Sequence, residues 1–291
     1  MTPDRIETPL TRALGIRYPV VVAPMFLVSN AALLEAAARA GAVGAVPSLN
    51  FREHAEFKRF LDEFPLGLAF GVNLILKWGD RLEQDVQSVV DRKVPLVITS
   101  LGDPTQVVKA VHAYGGSVWC DVIGRKHAEK AAAGGADALI AVASGAGGHA
   151  GRISPFVLGP WLKEELKLPV VIAGGISTGR QLLAALALGG DAAYFGTRFI
   201  ATPESAAPQA HKDAIVSAGP EDIEYTPDVT GVHANFLARS LADFRSGGGK
   251  AWKEVFSAGQ GVALIHEVTP AGELVRRIVD EYAQALGQLA R

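Results

Sequence analysis

The sequence predicts an α/β protein, a (β/α)8 TIM barrel carrying a helical C-terminal cover. Three observations predict it. Short apolar runs rich in β-branched residues alternate with helical patterns about eight times at near-constant period, as parallel βαβ units do. Several of these runs are apolar on both faces, as parallel strands covered by helices should be. No GxGxxG follows the first run, which weakens the rival reading, an open doubly wound sheet.

The elements follow in order. Tyr18 to Met25, YPVVVAPM, is a buried-type strand ending at Pro24, and Ser29 or Asn30 caps a helix, AALLEAAARA, that Gly41 stops. Val43 to Val46 is the second strand, followed by a helix over Arg52 to Phe64. Leu68 to Leu74 is the third, with a helix from Asp80 to Asp91. Pro95 to Thr99 and a helix from Pro104 to Tyr114 make the fourth unit; Ser117 to Val122 and a helix from Arg125 to Ala133 make the fifth. Ala136 to Val142 is the sixth strand, followed by a glycine-rich loop and a helix near Pro160 to Leu166. Pro169 to Ala173 is the seventh, after which Ser177 is the N-cap of a helix with Leu182, Leu183 and Leu186 on one face. Asp191 to Phe195 is the eighth.

The barrel is thus expected over residues 1–202. A cover of residues 203–291 follows: a helical stretch from Pro203 to Gly219, a less regular one from Asp222 to Gly261, and an amphipathic helix from Ala271 to Leu289 that packs back on the barrel. The SGGGK at Ser246 to Lys250 lacks the spacing and the preceding strand of a phosphate loop and reads as a flexible turn.

Composition narrows the function. The 291 residues suit one barrel with an appendage, and 49% hydrophobic residues supply its core. A net charge of −2 without a basic tract argues against nucleic acid or an anionic membrane as the main partner. The single cysteine, Cys120, removes an intrachain disulfide and a cysteine-only metal cluster, and its place inside the fifth strand makes it a buried, inert thiol. The polar start MTPDRIETPL is no signal peptide, and no apolar run approaches the ~20 residues of a membrane helix, so a cytoplasmic protein is expected.

Two successive strand ends carry glycine turns that lead towards helices: Gly174-Gly175 after the seventh and Gly196-Thr197 after the eighth. Glycine lets backbone approach a ligand, and in (β/α)8 barrels the loops after strands seven and eight are where a phosphate sits. After the sixth strand comes ASGAGGHAGRISPF. His149 there is flanked by small residues at a strand's C-terminal end, where a histidine serves as a base near neutral pH. His54, His112, His127 and His211 lie on helices among charged neighbours and are expected at the surface, as is His266. His233, in the cover, is open to either reading. No two histidines have metal spacing, and there is no HExxH and no GxSxG. A pyridoxal phosphate enzyme would need a lysine at a strand end, and Lys77 follows the third strand only loosely. Redox or proton chemistry then needs an organic cofactor, and a phosphate site beside a flat, glycine-lined pocket fits FMN best.

These residues resemble the nitronate monooxygenases, FMN-dependent barrels grouped with NADH:quinone reductases and an FMN-dependent enoyl-ACP reductase. The resemblance rests on VVVAPM (Val20 to Met25), GVNL (Gly71 to Leu74), AGGHAG (Ala146 to Gly151), AGGISTGRQ (Ala173 to Gln181), FGTRFIATPES (Phe195 to Ser205) and, towards the C-terminus, GVHANFL and WKEVFSAGQGVALI. It implies that Ala23, Pro24 and Met25 lie against the isoalloxazine and that Asn73 hydrogen-bonds the flavin. It further implies that Gly147, Gly174, Gly175, Gly196 and Thr197 line the FMN, the last four at its phosphate, and that His149 is the base towards the substrate. Asp121 falls where relatives place a basic or polar residue near the flavin, and Gly145 stands where many have glutamate.

The expected activity is therefore oxidation of an alkyl nitronate, or of a nitroalkane, with O2 to a carbonyl compound and nitrite. The alternatives are an NAD(P)H-dependent reductase of quinones or enoyl thioesters on the same scaffold and a non-catalytic flavin-binding protein. The chain is expected as a monomer or homodimer.

Overall fold

The computed structural model describes residues 2–77, 80–247 and 255–290. Helix α1 (Pro9–Leu14), which the sequence reading did not separate, is started by a Thr8/Thr11 capping box and plugs the lower end of the barrel with Leu10 and Ile16. There follow β1 (Val20–Val22), α2 (Ala31–Arg39), β2 (Val43–Pro47), α3 (His54–Glu63), β3 (Phe70–Ile75), α4 (Leu82–Arg92), β4 (Leu96–Ser100), α5 (Thr105–His112), β5 (Ser117–Val122), α6 (Arg125–Ala133) and β6 (Ala138–Val142). Next come β7 (Gly148–His149), α7 (Pro155–Leu166), β8 (Val170–Ala173), α8 (Gly179–Ala187), β9 (Ala192–Phe195) and α9 (Thr197–Ile200). The eight strands β1-β2-β3-β4-β5-β6-β8-β9 form a closed parallel barrel, sealed by β1 against β9 with Val21 opposite Tyr194.

Alternation along each strand sends every second side chain into the lumen. Val21, Ala45, Ile98, Trp119, Ile140 and Val171 fill it from different strands, while the opposite faces meet the helices in a larger cluster. β1 is shorter than the sequence suggests because Pro19 and Pro24, which bracket it, have no N–H to give to a ladder. Asn30, whose side chain accepts from Leu33 N, caps α2. Ser177 is not the cap of α8: Thr178 takes that place in a capping box with Gln181, and the Ser177 hydroxyl donates to Gly261 O at 2.9 Å. Helix α7 starts at Pro155, behind Ser154 as N-cap, earlier than the sequence reading placed it.

The segment after β9 contains α10 (Gln209–Ser217), β10 (Ile223–Thr226), β11 (Ala234–Leu237), α11 (Ala238–Arg245) and α12 (Ala271–Leu289). It is helical in part only. β10 and β11 pair antiparallel, and β11 also pairs with β7, with Ala234 opposite His149. The glycine-rich loop after β6 is thereby an edge of a three-stranded sheet in the cover. Helix α12 packs between α8 and α2, in the eighth position of the outer ring. The closest approach is at Gly179, where an added Cβ would run into the Ile278 carbonyl. Gly248 to Lys250 of the SGGGK turn, and Ala251 to Glu254 at the start of the final cover motif, lie outside the described residues. No described helix is long and apolar enough to cross a membrane.

Candidate active site

The C-terminal mouth of the barrel opens into a cavity of about 1180 Å³. Ala23, Pro24, Met25, Asn73, Asp121, Gly147, His149, Gly174, Gly175, Gly196 and Thr197 all line it, so eleven residues at or just after the ends of six barrel strands meet at one site.

One side is backbone. Gly174 has φ +124° and Gly175 φ +68°, a region in which a side chain is strained. A Cβ at Gly174 would sit 2.6 Å from Ser144 O, whereas one at Gly175 would point into open space. The turn therefore leaves a cradle of open space over Gly175, where a ligand can approach the backbone. Gln181 fixes it: its Nε2 donates to Gly175 O at 2.7 Å, and its Oε1 accepts from Ser177 N at 2.7 Å. Thr197 Oγ1 accepts from Gly259 N at 2.9 Å, tying the last strand end to the cover.

The floor is polar, which the sequence reading found only in part. Asn73, Ser100, Asp121 and Tyr194 continue the inward rows of β3, β4, β5 and β9. Asn73 Nδ2 donates to Ile98 O at 3.1 Å and to Ser100 Oγ at 2.8 Å, and the Ser100 hydroxyl donates to Asp121 Oδ2 at 2.6 Å. Both amide protons of Asn73 are thus engaged, leaving its Oδ1 to accept from a ligand. Asp121 Oδ1 and Tyr194 OH are sealed from solvent and have no hydrogen-bond partner among the described residues. Burial raises the Asp121 carboxyl to about 6 against the stabilising Ser100 bond. Burial, and then the Asp121 charge, raise Tyr194 far above the usual phenol range. Two orphaned polar atoms at the floor of a cavity are what a ligand with its own donors and acceptors would satisfy.

The roof carries His149, half-buried on β7. Its Nε2 lies 3.2 Å from Thr230 Oγ1. The Thr230 hydroxyl donates to Val232 O at 3.0 Å and accepts from Val232 N at 3.2 Å, which holds it beside the ring. Burial lowers the His149 pKa, which favours the neutral ring. Asn235 Nδ2 donates to Ala146 O at 2.7 Å and clamps the loop to the cover. Tyr225 lies on the rim, its hydroxyl on Ala150 O at 2.8 Å and its ring stacked on His233 with centroids 5.0 Å apart. His233 therefore belongs to the exposed rim.

Two other histidines depart from expectation. His211 is not at the surface: it is 4% exposed, its Nε2 is 3.1 Å from Ser257 O, its ring stacks on Phe256, and burial pushes its pKa down to about 4. His54 sits half-buried in the α3–α4 seam, 3.0 Å from Asp85. Cys120 is buried beside Thr99 Oγ1 at 3.0 Å, and its thiol is pushed up to about 11, so it is no nucleophile. No group of three metal-binding side chains occurs among the described residues.

A closed parallel barrel whose mouth combines a glycine cradle, orphaned polar atoms and a neutral histidine is an enzyme built around an organic cofactor. A family model described as nitronate monooxygenase matches residues 51–244, and the chain belongs to that family. The family is flavin-dependent in general, and its relatives are oxidoreductases. A (3aS,4S,5R,7aS)-5-hydroxy-7a-methyl-1-oxo-octahydro-1H-indene-4-carboxyl-CoA dehydrogenase of Mycobacterium tuberculosis is 31% identical over 85% of this chain and 70% of its own. A nitronate monooxygenase of Pseudomonas aeruginosa is 30% identical over 93% of this chain and 98% of its own. The solved structure of FabK from Thermotoga maritima superposes with a TM-score of 0.89 at 28% identity, over 98% of this chain and 99% of that one.

Proposed function

We propose that this protein is an FMN-dependent oxidoreductase that uses O2 to convert alkyl nitronates to carbonyl compounds and nitrite. The observation that carries the reading is a neutral histidine, His149, facing a cavity whose opposite walls are a glycine cradle and a floor of orphaned polar atoms. Membership of the nitronate monooxygenase family supports it. FMN, when bound, would accept electrons from the nitronate and pass them to O2. Its phosphate would rest in the backbone of Gly174, Gly175, Gly196 and Thr197, with Ala23, Pro24 and Met25 along its ring and Asn73 Oδ1 and Asp121 towards its polar edge.

The remaining work falls to His149. Its neutral ring takes the acidic proton from the carbon beside a nitro group, or, as imidazolium, holds a nitronate already formed. The Thr230 bond fixes the ring while it does so. His149→Ala should retain FMN and lose turnover of the neutral nitroalkane by about 10²- to 10⁴-fold, the span of a general base. Equal turnover in both proteins would remove the base role. A second reading is an NAD(P)H-dependent reductase of quinones or enoyl thioesters, favoured by the likeness to the CoA dehydrogenase and FabK. Rapid anaerobic reduction of the flavin by NADH, with none by nitronate, would select it.

A further inference from the structure

The floor of the cavity holds a titratable group to which His149 chemistry gives no part. Asp121 stands on β5, beside Ser100 of β4 and in register with Ile140 of β6. Its Oδ2 accepts the Ser100 hydroxyl at 2.6 Å, and that hydroxyl accepts from Asn73 Nδ2 at 2.8 Å. The run of donors ends there. The carboxyl has this one hydrogen bond, and its Oδ1 has no partner among the described residues. A buried carboxylate keeps its charge when several N–H groups or a cation hold it, and Asp121 has neither.

The groups around it supply no countercharge. Tyr194, on β9, is a phenol raised far above its usual range by burial and then by the Asp121 charge, so it stays neutral. Cys120, the neighbour on β5, keeps its thiol proton. Asn73 on β3, Ser100 on β4, Val142 on β6 and Ala173 on β8 carry no charge, nor do Ala23 after β1 and Pro47 on β2. On the roof, burial favours neutral His149, and Tyr225 and His233 belong to the rim. Lys77, Lys126, His127 and Lys130 stand exposed at the mouth. What acts on the Asp121 carboxyl is burial, which raises it to about 6, and the Ser100 bond, which opposes the rise. A ligand that covers the floor tips this balance further. The ring of an oxidised flavin is uncharged and the phosphate of FMN is an anion, so FMN brings Asp121 no cation and takes it further from solvent. The proton then falls on Oδ1, because Oδ2 is engaged by Ser100.

We infer that Asp121 is protonated in the flavin-loaded protein at neutral pH, so that the chain takes up a proton with its cofactor and holds that cofactor less tightly as the pH rises. A neutral acid there places no negative charge beside a ring that has to receive electrons. This rests on flavin as the cofactor and not on nitronate as the substrate. Its sign is that of a group whose pKa is higher in the bound state than in the free one. The affinity is full below the free value, about 6, and is lost as pH rises towards the bound value, by up to tenfold per pH unit.

The test is serial dilution of the flavin-loaded protein, as wild type and as Asp121→Asn, with the fluorescence of released FMN giving the dissociation constant from about pH 5 to about pH 9. Asparagine is neutral at every pH and keeps an acceptor for Ser100, so the variant should hold flavin throughout. The ratio of the wild-type to the variant constant should be level below about pH 6 and rise tenfold or more by about pH 8. The phosphate of FMN also titrates at about pH 6, but both proteins share it and it cancels in the ratio. A smaller rise, a level ratio, a fall, or a folded variant that holds no flavin overturns the inference. A second measurement needs no variant: the infrared spectrum of the flavin-loaded wild type at neutral pH should show the C=O stretch of a protonated carboxyl, and its absence overturns the inference equally. A wild type that holds no flavin at any pH removes the flavin reading and the inference together, whereas flavin held with a level ratio removes the inference alone.

Discussion

Asp121→Asn should change how the flavin-free protein responds to pH. The carboxyl is raised to about 6 from an ordinary 3.8, chiefly by burial. A raised acid binds its proton more tightly folded than unfolded, so its contribution is fully present below the unfolded pKa and is lost as pH rises through the folded one. The full loss for about two pK units is about 3 kcal/mol, of which about 1.3 kcal/mol falls between pH 5 and pH 7. Asparagine keeps an acceptor for the Ser100 hydroxyl and carries no charge. The assay is urea unfolding of both proteins across that range. The stability of the variant relative to wild type should rise by about 1.3 kcal/mol from pH 5 to pH 7. His211, held near 4, loses its contribution as pH falls, the opposite sense, but it is present in both proteins and cancels in the difference. Parallel pH profiles would refute the reasoning, since they would mean that the buried Asp121 carboxyl does not titrate in this window.

Gly179→Ala should destabilise the fold by about 1–3 kcal/mol through overpacking where α8 meets α12, despite the better helix propensity of alanine. Denaturant midpoints would show it, and a neutral outcome would mean that the two helices separate at no cost. Gly174→Ala should lose flavin on dialysis that wild type retains, because a Cβ there strains the backbone and displaces the Ser144 carbonyl beneath the cradle. Fluorescence of released flavin would measure this, and equal retention would remove the cradle from the binding site.

The barrel was legible because its strands are short runs of Val, Ile, Leu and Ala bracketed by Gly and Pro, and these need no long-range information to read. β5, α6 and α12 fall where the pattern put them, at Ser117–Val122, Arg125–Ala133 and Ala271–Leu289. The site was legible where glycines mark strand ends and where a histidine stands among small residues. Ser100 and Tyr194 were not, because a polar residue at a strand end gains meaning only when closure of the barrel turns it inward. Thr230 lies 81 residues from its partner His149, and no local pattern predicts that bond. The sheet of the cover escaped for a similar reason: β7, β10 and β11 are two to four residues long and draw their stability from one another. His211 misled because its neighbours on α10 are charged, while the face it occupies packs against Phe256.

The most direct test of the account is the visible spectrum of the purified, FMN-loaded protein when an alkyl nitronate is added without oxygen. The account predicts that the flavin absorbance bleaches on mixing and returns, with release of nitrite, when O2 is admitted. A spectrum that nitronate leaves unchanged would contradict the proposed activity.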